Sequence, residues 1–432
     1  MSMAHVILVE PFAHKRGHFS VEAANLARAF ATRISNVTLV SFSGFAEEEP
    51  LQKMDVRQGI VCYSATAVTR QPILALYRFL AWVSRALFPN SVLIGRLPSA
   101  LETWATLHVA NQLCKKSKAD LTVCVDAETW ALLLSASFTS GVKFLCVLRD
   151  YSRMLQRKPP ARRRVKRYLE NLLSASATAK NEMVFACTVA DMPQAYRTTG
   201  FKGNCVYVPP FGISQLSRVP GMAEARTHLQ LPQSVPILLV FGSGHDAKDF
   251  ESIFKSLAGT GLNVVLLFAG KFNSGSSNDP LRLARRYGLS DKAIIVDQFI
   301  PEREIPYYFA AADGLVISFK KGFVGNSAVL VQAIGLGIPV IASDVASTGT
   351  LVKRFGLGLT FAPEDPRSLR EAIAHFVELS SEDRRTIRDN MRRYADEHQR
   401  SWDSIAEEYL RISVGFSATG KHWAEEERES GA

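Results

Sequence analysis

The sequence predicts an α/β protein of two domains, each built on a parallel β-sheet with helices on both faces. Short runs of β-branched and aromatic residues alternate with amphipathic segments along the chain, a pattern typical of covered parallel sheets. The alternation is interrupted at Pro209-Pro210-Phe211-Gly212 and then restarts. With 432 residues, the chain is also well above the roughly 250 to 300 residues at which one hydrophobic core stops growing.

The first half opens with an apolar strand at residues 5–9, a loop, and a segment at 21–31 whose apolar side chains recur at helical spacing. Helical patterns separate most of the strands that follow. These strands are predicted at residues 37–41, 60–63, 121–125, 143–148, 183–188 and 205–208.

The second half repeats the alternation. Beyond Glu382, three helix-forming stretches are expected to run to about Ser413, and residues 415–432 are expected to form a flexible tail. The strands of this half are predicted at residues 237–241, 263–268, 293–296, 314–318 and 339–342, and its helices are predicted to begin at Asp246, Pro280, Glu302, Ser327 and Pro366.

Composition excludes several classes of protein. At 47% apolar and 21% charged residues, the chain resembles neither a disordered nor a collagen-like protein. No apolar stretch reaches the roughly 18 residues of a membrane-spanning helix, and the N-terminus lacks the features of a secretory signal. The six cysteines are widely spaced and lie mostly in apolar runs, as reduced thiols do. We therefore expect a cytoplasmic protein, neither integral to a membrane nor exported.

The basic residues are concentrated in the first half. Residues 1–208 contain 26 Lys and Arg against 14 Asp and Glu, a net charge of +12, whereas the remainder has 25 against 27, a net charge of −2. Such asymmetry indicates that this half meets an anionic surface or ligand, for which a phospholipid surface, a phosphorylated acceptor and a nucleic acid are the alternatives.

Two segments after strands of the second half have the composition of anion sites. In FGSGHDAKDF, residues 241–250, the turn Gly242-Ser243-Gly244 follows a strand and Asp246 is a plausible N-cap. Lys248 would then lie in the first helical turn, where a cation opposes the helix dipole unless it faces a phosphate. The alternative is an exposed lysine beside an ordinary turn.

The second segment spans residues 318–344 and carries Lys320 and Lys321 in a glycine-containing loop. A helix begins near Ser327, and Gln332 follows one turn later. Free N–H groups and the helix dipole predict anion binding at residues 325–328. The alternative is a tight loop before a closely packed helix.

The run VLVQAIGLGIPVIASD, residues 329–344, resembles the signature of nucleotide-sugar-dependent glycosyltransferases of the GT-B fold, particularly the retaining family-four (glycosyl transferases group 1) type. Residues 241–250 resemble the phosphate turn of that family, residues 294–319 its base-binding strand, loop and helix, and VYVPPFGIS its interdomain linker. The likeness is good over residues 183–412 and weak over the first 180.

The resemblance implies two Rossmann-like domains facing across a cleft. Residues 1–208 would bind the acceptor, residues 209–400 would bind the nucleotide-sugar, and a helix at 401–414 would cross back to the first domain. It implies no cofactor, since the nucleotide-sugar is a substrate, and no metal, since in this fold a helix N-terminus and basic side chains usually neutralise the leaving diphosphate. It implies donor-binding roles for Ser243, Gly244, Lys248, Phe299, Gly325, Asn326, Ser327 and Gln332.

The sequence departs from that family at three places. The Glu-x7-Glu pair of the family falls on Val324 and Gln332, of which only the glutamine can hydrogen-bond a ribose hydroxyl. An arginine usual in the phosphate turn is missing, with Ser243 nearby, so Lys248 acts alone or with the loop lysines. A histidine usual after a strand of the first domain appears as Arg149, followed by Asp150.

Acceptor-side roles follow from the same resemblance. Gly17, His18 and Phe19 precede a helix where the family has a glycine-rich acceptor loop. His18 is a candidate base or hydrogen-bond donor, and Asp150, next to Arg149, is a candidate base for an inverting reaction. The alternatives are a structural histidine and a helix-capping aspartate.

Two basic stretches suggest contact with an anionic membrane. Residues 72–97 place Arg78 and Arg85 on one helical face among large apolar side chains that include Phe79, Trp82 and Phe88, and residues 157–173 begin with a dense basic cluster. Together they suit an interfacial helix beside a polybasic patch. The alternative is a buried helix and a solvated basic face.

These observations predict a glycosyltransferase that moves a sugar from a nucleotide-diphosphate sugar to a lipid-linked or polysaccharide acceptor, in the cytoplasm or peripherally on the inner face of the membrane. The main alternative is an inactive GT-B homologue that binds a nucleotide or a partner protein. An epimerase of the same fold would need several cleft carboxylates, which we cannot place. A nucleic-acid partner is not expected, because the sequence has no recognised binding motif.

Overall fold

The computed structural model describes residues 3–13, 18–43, 60–69, 79, 97–148, 161–189, 191–208, 212–213, 219–398 and 400–414. The chain divides into two compact units, one made of Met1–Pro210 with Trp402–Ala432 and the other of Phe211–Ser401. Each unit has its own parallel sheet with helices between the strands. The predicted α/β class with two Rossmann-like domains is therefore confirmed.

The sheet of the first unit has seven parallel strands in the order β3-β2-β1-β4-β5-β6-β7. Its central strands are buried along almost their whole length, which is why they appear in the sequence as continuous apolar runs. The strands are β1 His5–Val9, β2 Asn36–Ser41, β3 Ile60–Ser64, β4 Leu121–Cys124, β5 Lys143–Leu148, β6 Glu182–Cys187 and β7 Asn204–Tyr207. The helices between them are α1 His18–Ala31, α2 Ala65–Thr69, α3 Leu97–Ser117, α4 Thr129–Ser137, α5 Ala161–Lys180 and α6 Met192–Thr198.

The second unit has six parallel strands in the order β11-β10-β9-β12-β13-β14, and a separate short pair joins β8 to β15. The strands are β8 Gly212–Ile213, β9 Ile237–Phe241, β10 Val265–Gly270, β11 Ala293–Asp297, β12 Gly314–Ile317, β13 Val340–Ser343, β14 Gly358–Phe361 and β15 Arg400–Ser401. The helices are α7 Met222–His228, α8 Phe250–Leu257, α9 Pro280–Arg286, α10 Ile305–Ala311, α11 Ala328–Leu336, α12 Ala346–Phe355, α13 Pro366–Glu378 and α14 Ser381–His398.

Two predictions about helices after residue 240 are wrong: the start of a helix at Asp246 and the number of helices after Glu382. Helix α8 begins at Phe250 rather than at Asp246, because the side chain of Asp249 is the N-cap and accepts a hydrogen bond from the Ser252 N–H at 3.1 Å. The helix predicted to begin at Glu302 does start there, as a single 3-10 turn at Glu302–Glu304 that leads directly into α10. Beyond residue 381, the described chain forms two helices rather than three, separated by the β15 pairing.

The final described helix, α15 Trp402–Val414, packs against α1 and so belongs to the first unit. Its side chains Ile405, Tyr409 and Ile412 are buried in the same apolar cluster as the inner face of α1. Arg33 adds an ion pair with Asp403 at 2.8 Å. The core of the first unit is thus completed by residues that follow the whole second unit in sequence.

Ile405→Ala should destabilise the first unit by about 2 to 5 kcal/mol, since it leaves a cavity under α15. Urea denaturation followed by circular dichroism measures this loss. Val414→Ala is the matched control, because Val414 is 63% exposed and its truncation should change stability by less than about 0.5 kcal/mol. Equal stability of the two variants would contradict the packing described for α15.

Candidate functional site

Both predicted anion-binding segments emerge at one point on the edge of the second sheet. Strands β9 and β12 are neighbours at the centre of the sheet, where the strand order reverses direction. In open parallel sheets, ligands bind beside the carboxyl ends of the strands at this reversal. The turn at residues 242–244 follows β9, and the loop at 318–327 follows β12. The fold therefore brings the two segments together.

The two segments are joined by backbone pairing. Lys248 and Phe319 form an isolated antiparallel β-bridge. The Lys320 N–H donates to the Ala247 carbonyl at 2.9 Å, and the Asp249 N–H donates to the Ser318 carbonyl at 3.0 Å. Lys248 is therefore in extended backbone before α8, and the prediction that it lies in the first helical turn is wrong.

The amine of Lys248 is buried beneath the glycine turn. The residue is 8% exposed, and its Nζ donates to the Phe241 carbonyl at 2.7 Å. A Cβ built on Gly242 would lie 3.4 Å from this Nζ and 3.6 Å from Cγ2 of Val329, in the first turn of α11. Burial lowers the pKa of Lys248 to about 7. The group therefore gains or loses a proton near neutral pH.

Two glycines allow the turn to sit closely on the neighbouring strand. Gly242 has a φ of 92°, in the left-handed region that favours glycine. At Gly270, the last residue of β10, an added Cβ would overlap the carbonyl oxygen of Gly242. The turn is fixed there by hydrogen bonds from the Gly242 N–H to Ala269 and from the Gly244 N–H to Lys271. Its backbone position is therefore set by β10.

The start of helix α11 forms the other side of the site. Ser327 is its N-cap, and the side chain accepts a hydrogen bond from the Leu330 N–H at 3.2 Å. The loop before it is held by Ser347, whose Oγ lies 2.9 Å from both the Gly325 carbonyl and Oδ1 of Asn326. Capped in this way, the helix presents its first N–H groups and positive dipole end next to the turn.

The remaining predicted donor residues lie farther from the turn. Gln332 is half-buried on α11, one turn beyond its start. Phe299 is half-buried in the loop after β11, which is two strands from β9 and so about 10 Å along the sheet edge. This spacing leaves room for a ligand that extends along the edge, but the structure shows no contact of either side chain with Lys248.

An aromatic stack beside the turn was missed by the sequence analysis. The rings of Phe319 and Phe323 are parallel at 3.8 Å, and the imidazole of His245 stacks on Phe319 at 6.1 Å. Burial, followed by the nearby Lys248, lowers the pKa of His245 to about 4 despite the opposing effect of Asp246, so the ring is neutral at pH 7. Two phenylalanines four residues apart after a buried strand were the only signal in the sequence.

Most of the predicted acceptor-side residues cannot be placed. Gly17, Arg149 and Asp150 lie outside the described residues, and so does the side chain of His18, although α1 begins at that residue. The catalytic roles predicted for His18 and Asp150 therefore stay predictions. Phe19 is described, and it packs edge-to-face on Phe12 at 5.6 Å.

Two acidic residues at the corresponding edge of the first unit were also missed. Glu10 follows β1 and is buried, with Oε1 accepting the Phe12 N–H at 3.0 Å. Asp126 follows β4 and has a φ of 50°, a conformation that is unusual outside glycine and clusters at functional sites. Because β1 and β4 are neighbours where the order of this sheet reverses, both are candidate acceptor-side groups.

Within the residues that the structure describes, no cluster of three metal-ligating side chains is found. No helix of this same part of the chain is long and apolar enough to cross a membrane.

Comparisons with known proteins agree with this geometry. Residues 222–396 match the family described as Glycosyl transferases group 1. The D-inositol 3-phosphate glycosyltransferase of Nocardia farcinica is 26% identical over 205 residues, which cover 45% of this chain and 45% of that relative. The chain spans about half the length of the curated relatives that it matches.

Solved structures extend the likeness to almost the whole chain. Sucrose-phosphate synthase from Thermosynechococcus elongatus has a TM-score of 0.70 at 18% identity and covers 96% of this chain and 100% of that one. Anabaena HepE in complex with UDP and glucose has a TM-score of 0.66 at 15% identity, covering 95% and 100%. The fold is thus that of the GT-B class. Residues 222–396 within it match the glycosyl transferases group 1 family.

Lys248→Met should flatten the pH dependence of folding stability. Between pH 7 and 10.5 the unfolded chain holds a proton at Lys248 that the folded chain has lost. The free energy of unfolding of the second unit should therefore rise with pH between pH 7 and 10.5, by up to about 1.4 kcal/mol per pH unit. The contribution of Lys248 to this free energy is lowest below pH 7.

Urea denaturation at several pH values measures this rise in the wild type and its loss in Lys248→Met. Lys271→Met is the control, because that amine is 64% exposed and paired with Asp297, and the rise should persist. If Lys248→Met kept the full rise, the buried amine would not be the titrating group.

Proposed function

We propose that this protein is a glycosyltransferase that uses a nucleotide-diphosphate sugar as donor. The observation that carries the proposal is a buried lysine with a pKa of about 7, lying between a glycine turn and the capped start of α11 at the sheet reversal. This arrangement provides N–H donors and a cation for a diphosphate. The family match supports it, as does the structural likeness to HepE, whose complexes contain UDP, glucose and UDP-glucose.

In the proposed reaction, an acceptor hydroxyl attacks the anomeric carbon of the donor sugar while the nucleoside diphosphate leaves. Charge develops on the diphosphate oxygens, and donors fixed before the reaction stabilise it most effectively. We assign this role to Lys248, to the turn at residues 242–244 and to the first N–H groups of α11. These groups supply positive charge without a metal, so we propose that the reaction is metal-independent.

We propose that the acceptor is a lipid-linked or polysaccharide glycan, and that the protein acts in the cytoplasm at the inner face of a membrane. The net charge of +12 in residues 1–208 against −2 in the remainder favours an acceptor or a surface that carries negative charge. One relative is named for a phosphorylated acceptor, D-inositol 3-phosphate, and another for teichuronic acid biosynthesis.

A second candidate function is nucleotide binding without catalysis. It is favoured by Val324 and Gln332, which replace both carboxylates of the family pattern. Product formation separates the two candidates. UDP-, GDP- and dTDP-sugars are first screened by thermal stabilisation, where a ligand at 100 times its dissociation constant adds roughly 2.7 kcal/mol. Release of nucleoside diphosphate that depends on a glycan acceptor, in buffer containing EDTA, supports metal-independent transfer.

Nucleoside diphosphate binding should be accompanied by proton uptake at Lys248. The amine is mostly neutral above its pKa of about 7, and an adjacent diphosphate favours the charged form. At pH 8 the uptake should be roughly 0.9 proton. Calorimetry in two buffers of different ionisation enthalpy measures it.

Lys248→Met should abolish this uptake and weaken binding by about 1.5 to 3 kcal/mol, the range of a charge-assisted hydrogen bond. Lys255→Met is the control, because that amine is 45% exposed on α8 and paired with Glu251, and it should bind and take up protons like the wild type. Unchanged affinity and uptake in a folded Lys248→Met protein would remove this residue from the site.

Gln332 should contact the ribose as a neutral replacement for the glutamate of the family. Gln332→Glu should keep or improve nucleotide affinity, whereas Gln332→Leu should lose about 1 to 3 kcal/mol by leaving ribose hydroxyls unpaired. Calorimetry with the nucleoside diphosphate distinguishes the two variants. If Gln332→Leu bound as tightly as the wild type, the residue would be a packing residue.

A further inference from the structure

Helix α5 exposes an apolar face to solvent along most of its length. Between Arg164 and Lys180, every side chain of α5 that is exposed is apolar. The four largest lie at positions i, i+3, i+4 and i+7 and therefore on one side of the helix. They are Val165 at 57%, Tyr168 at 69%, Leu169 at 44% and Leu172 at 57% exposure. With Ala175 and Ala179, which continue the stripe, these six residues form what we call the α5 face.

The rotation of the helix is fixed by polar contacts on its opposite side. Lys166 forms ion pairs with Glu128 at 3.4 Å and with Glu170 at 3.6 Å. Glu170 is 1% exposed, and Nδ2 of Asn171 donates to the Thr199 carbonyl at 2.7 Å. Turning the apolar side inward would expose these groups and break their contacts. The exposed apolar side is therefore held outward, where an ordinary surface helix has polar residues.

Charge at the ends of α5 identifies the kind of partner. Arg162, Arg163 and Arg164 occupy the first turn, and Lys180 is the last residue. Among the described side chains of α5 no acidic group is exposed, because Glu170 is buried. An exposed apolar stripe bounded by basic residues has the composition of a helix that lies in the plane of an anionic bilayer surface.

A second copy of the chain fits this face less well. If two α5 helices paired antiparallel, Arg164 of each copy would approach Lys180 of the other, with no acidic side chain between them. If they paired parallel, the arginine-rich ends would meet. Both arrangements place like charges together, which is unfavourable when the surrounding apolar contact excludes water.

We propose that the α5 face binds the surface of an anionic membrane, with Tyr168, Leu169 and Leu172 in the headgroup region and Arg164 on lipid phosphates. The surface itself follows from α5 alone. Its use, bringing the first unit to a lipid-linked acceptor, rests on the proposed function. The α5 face is a different surface from residues 72–97, through which the sequence predicted membrane insertion. Of residues 72–97, only Phe79 and Leu97 are among the described residues.

Co-sedimentation of the full chain with vesicles tests the proposal. Vesicles of phosphatidylcholine with phosphatidylglycerol are compared with phosphatidylcholine alone. The wild type should bind only the anionic vesicles, and less at high salt. The double variant Tyr168→Ser/Leu172→Ser should bind the anionic vesicles at least roughly tenfold more weakly than the wild type. The double variant Arg163→Ser/Arg164→Ser should also lose roughly tenfold in affinity for these vesicles. Leu281→Ser, at a residue 48% exposed on α9, is the control and should bind like the wild type.

The outcomes that overturn the proposal are distinct from failure of the proposed function. Equal binding by wild type and Tyr168→Ser/Leu172→Ser, or no binding by the wild type, excludes the α5 face as a membrane surface. A wild-type dimer in analytical ultracentrifugation that Leu172→Ser dissociates assigns the face to a second copy instead. Nucleoside diphosphate binding is measured on every variant and should match the wild type. If the variants bind vesicles as expected but neither they nor the wild type bind a nucleoside diphosphate, the membrane surface is supported and the proposed sugar transfer is contradicted.

Discussion

The candidate site depends on the burial of one amine. Lys248 has almost no access to water, so its charge is costly in the folded protein unless an anion is near. Its hydrogen bond to the Phe241 carbonyl and its β-bridge to Phe319 join the end of β9 to the loop after β12. Under the proposed function, the residue that joins the two segments is also the group that becomes charged when the donor diphosphate binds. The proposed donor binding and the local fold therefore depend on the same side chain.

The other parts of the site are arranged around this amine by close approach. Gly242 lies against Gly270, where any side chain would displace the turn. Ser327 and Asp249 cap the helices α11 and α8, which begin at the same sheet edge. Ser347, on a third helix, α12, holds the loop before α11 by its contact with the Gly325 carbonyl. Backbone N–H groups, whose positions are set by packing, therefore stand beside the lysine at this edge. This suits a reaction in which the charge to be stabilised is on the leaving group.

The sequence was sufficient for the strands and for the segments that make the site, because buried parallel strands are continuous apolar runs and their carboxyl ends meet at one edge. The sequence was not sufficient where a contact between residues far apart in the chain determines the local structure. Asp246 and Asp249 are both good caps, and the pairing of Lys248 with Phe319 selects the second by keeping the chain extended. The outward face of α5 was also missed. The rotation of that helix depends on ion pairs of Lys166 with Glu170 on the same helix and with Glu128, which lies before α4. Glu10 and Asp126 became candidate site residues only when the strand order showed that β1 and β4 are neighbours.

The return of α15 to the first unit has a consequence for biosynthesis. The second unit is continuous in sequence and can close its core as soon as it has left the ribosome. The first unit cannot, because the apolar side of α1 is covered by residues 402–414. At ordinary elongation rates, roughly 20 to 80 s separate the synthesis of α1 from that of α15. Throughout that interval the nascent N-terminal sheet carries a helix whose apolar side is uncovered, the kind of surface that chaperones protect, until residues 402–414 have been synthesised.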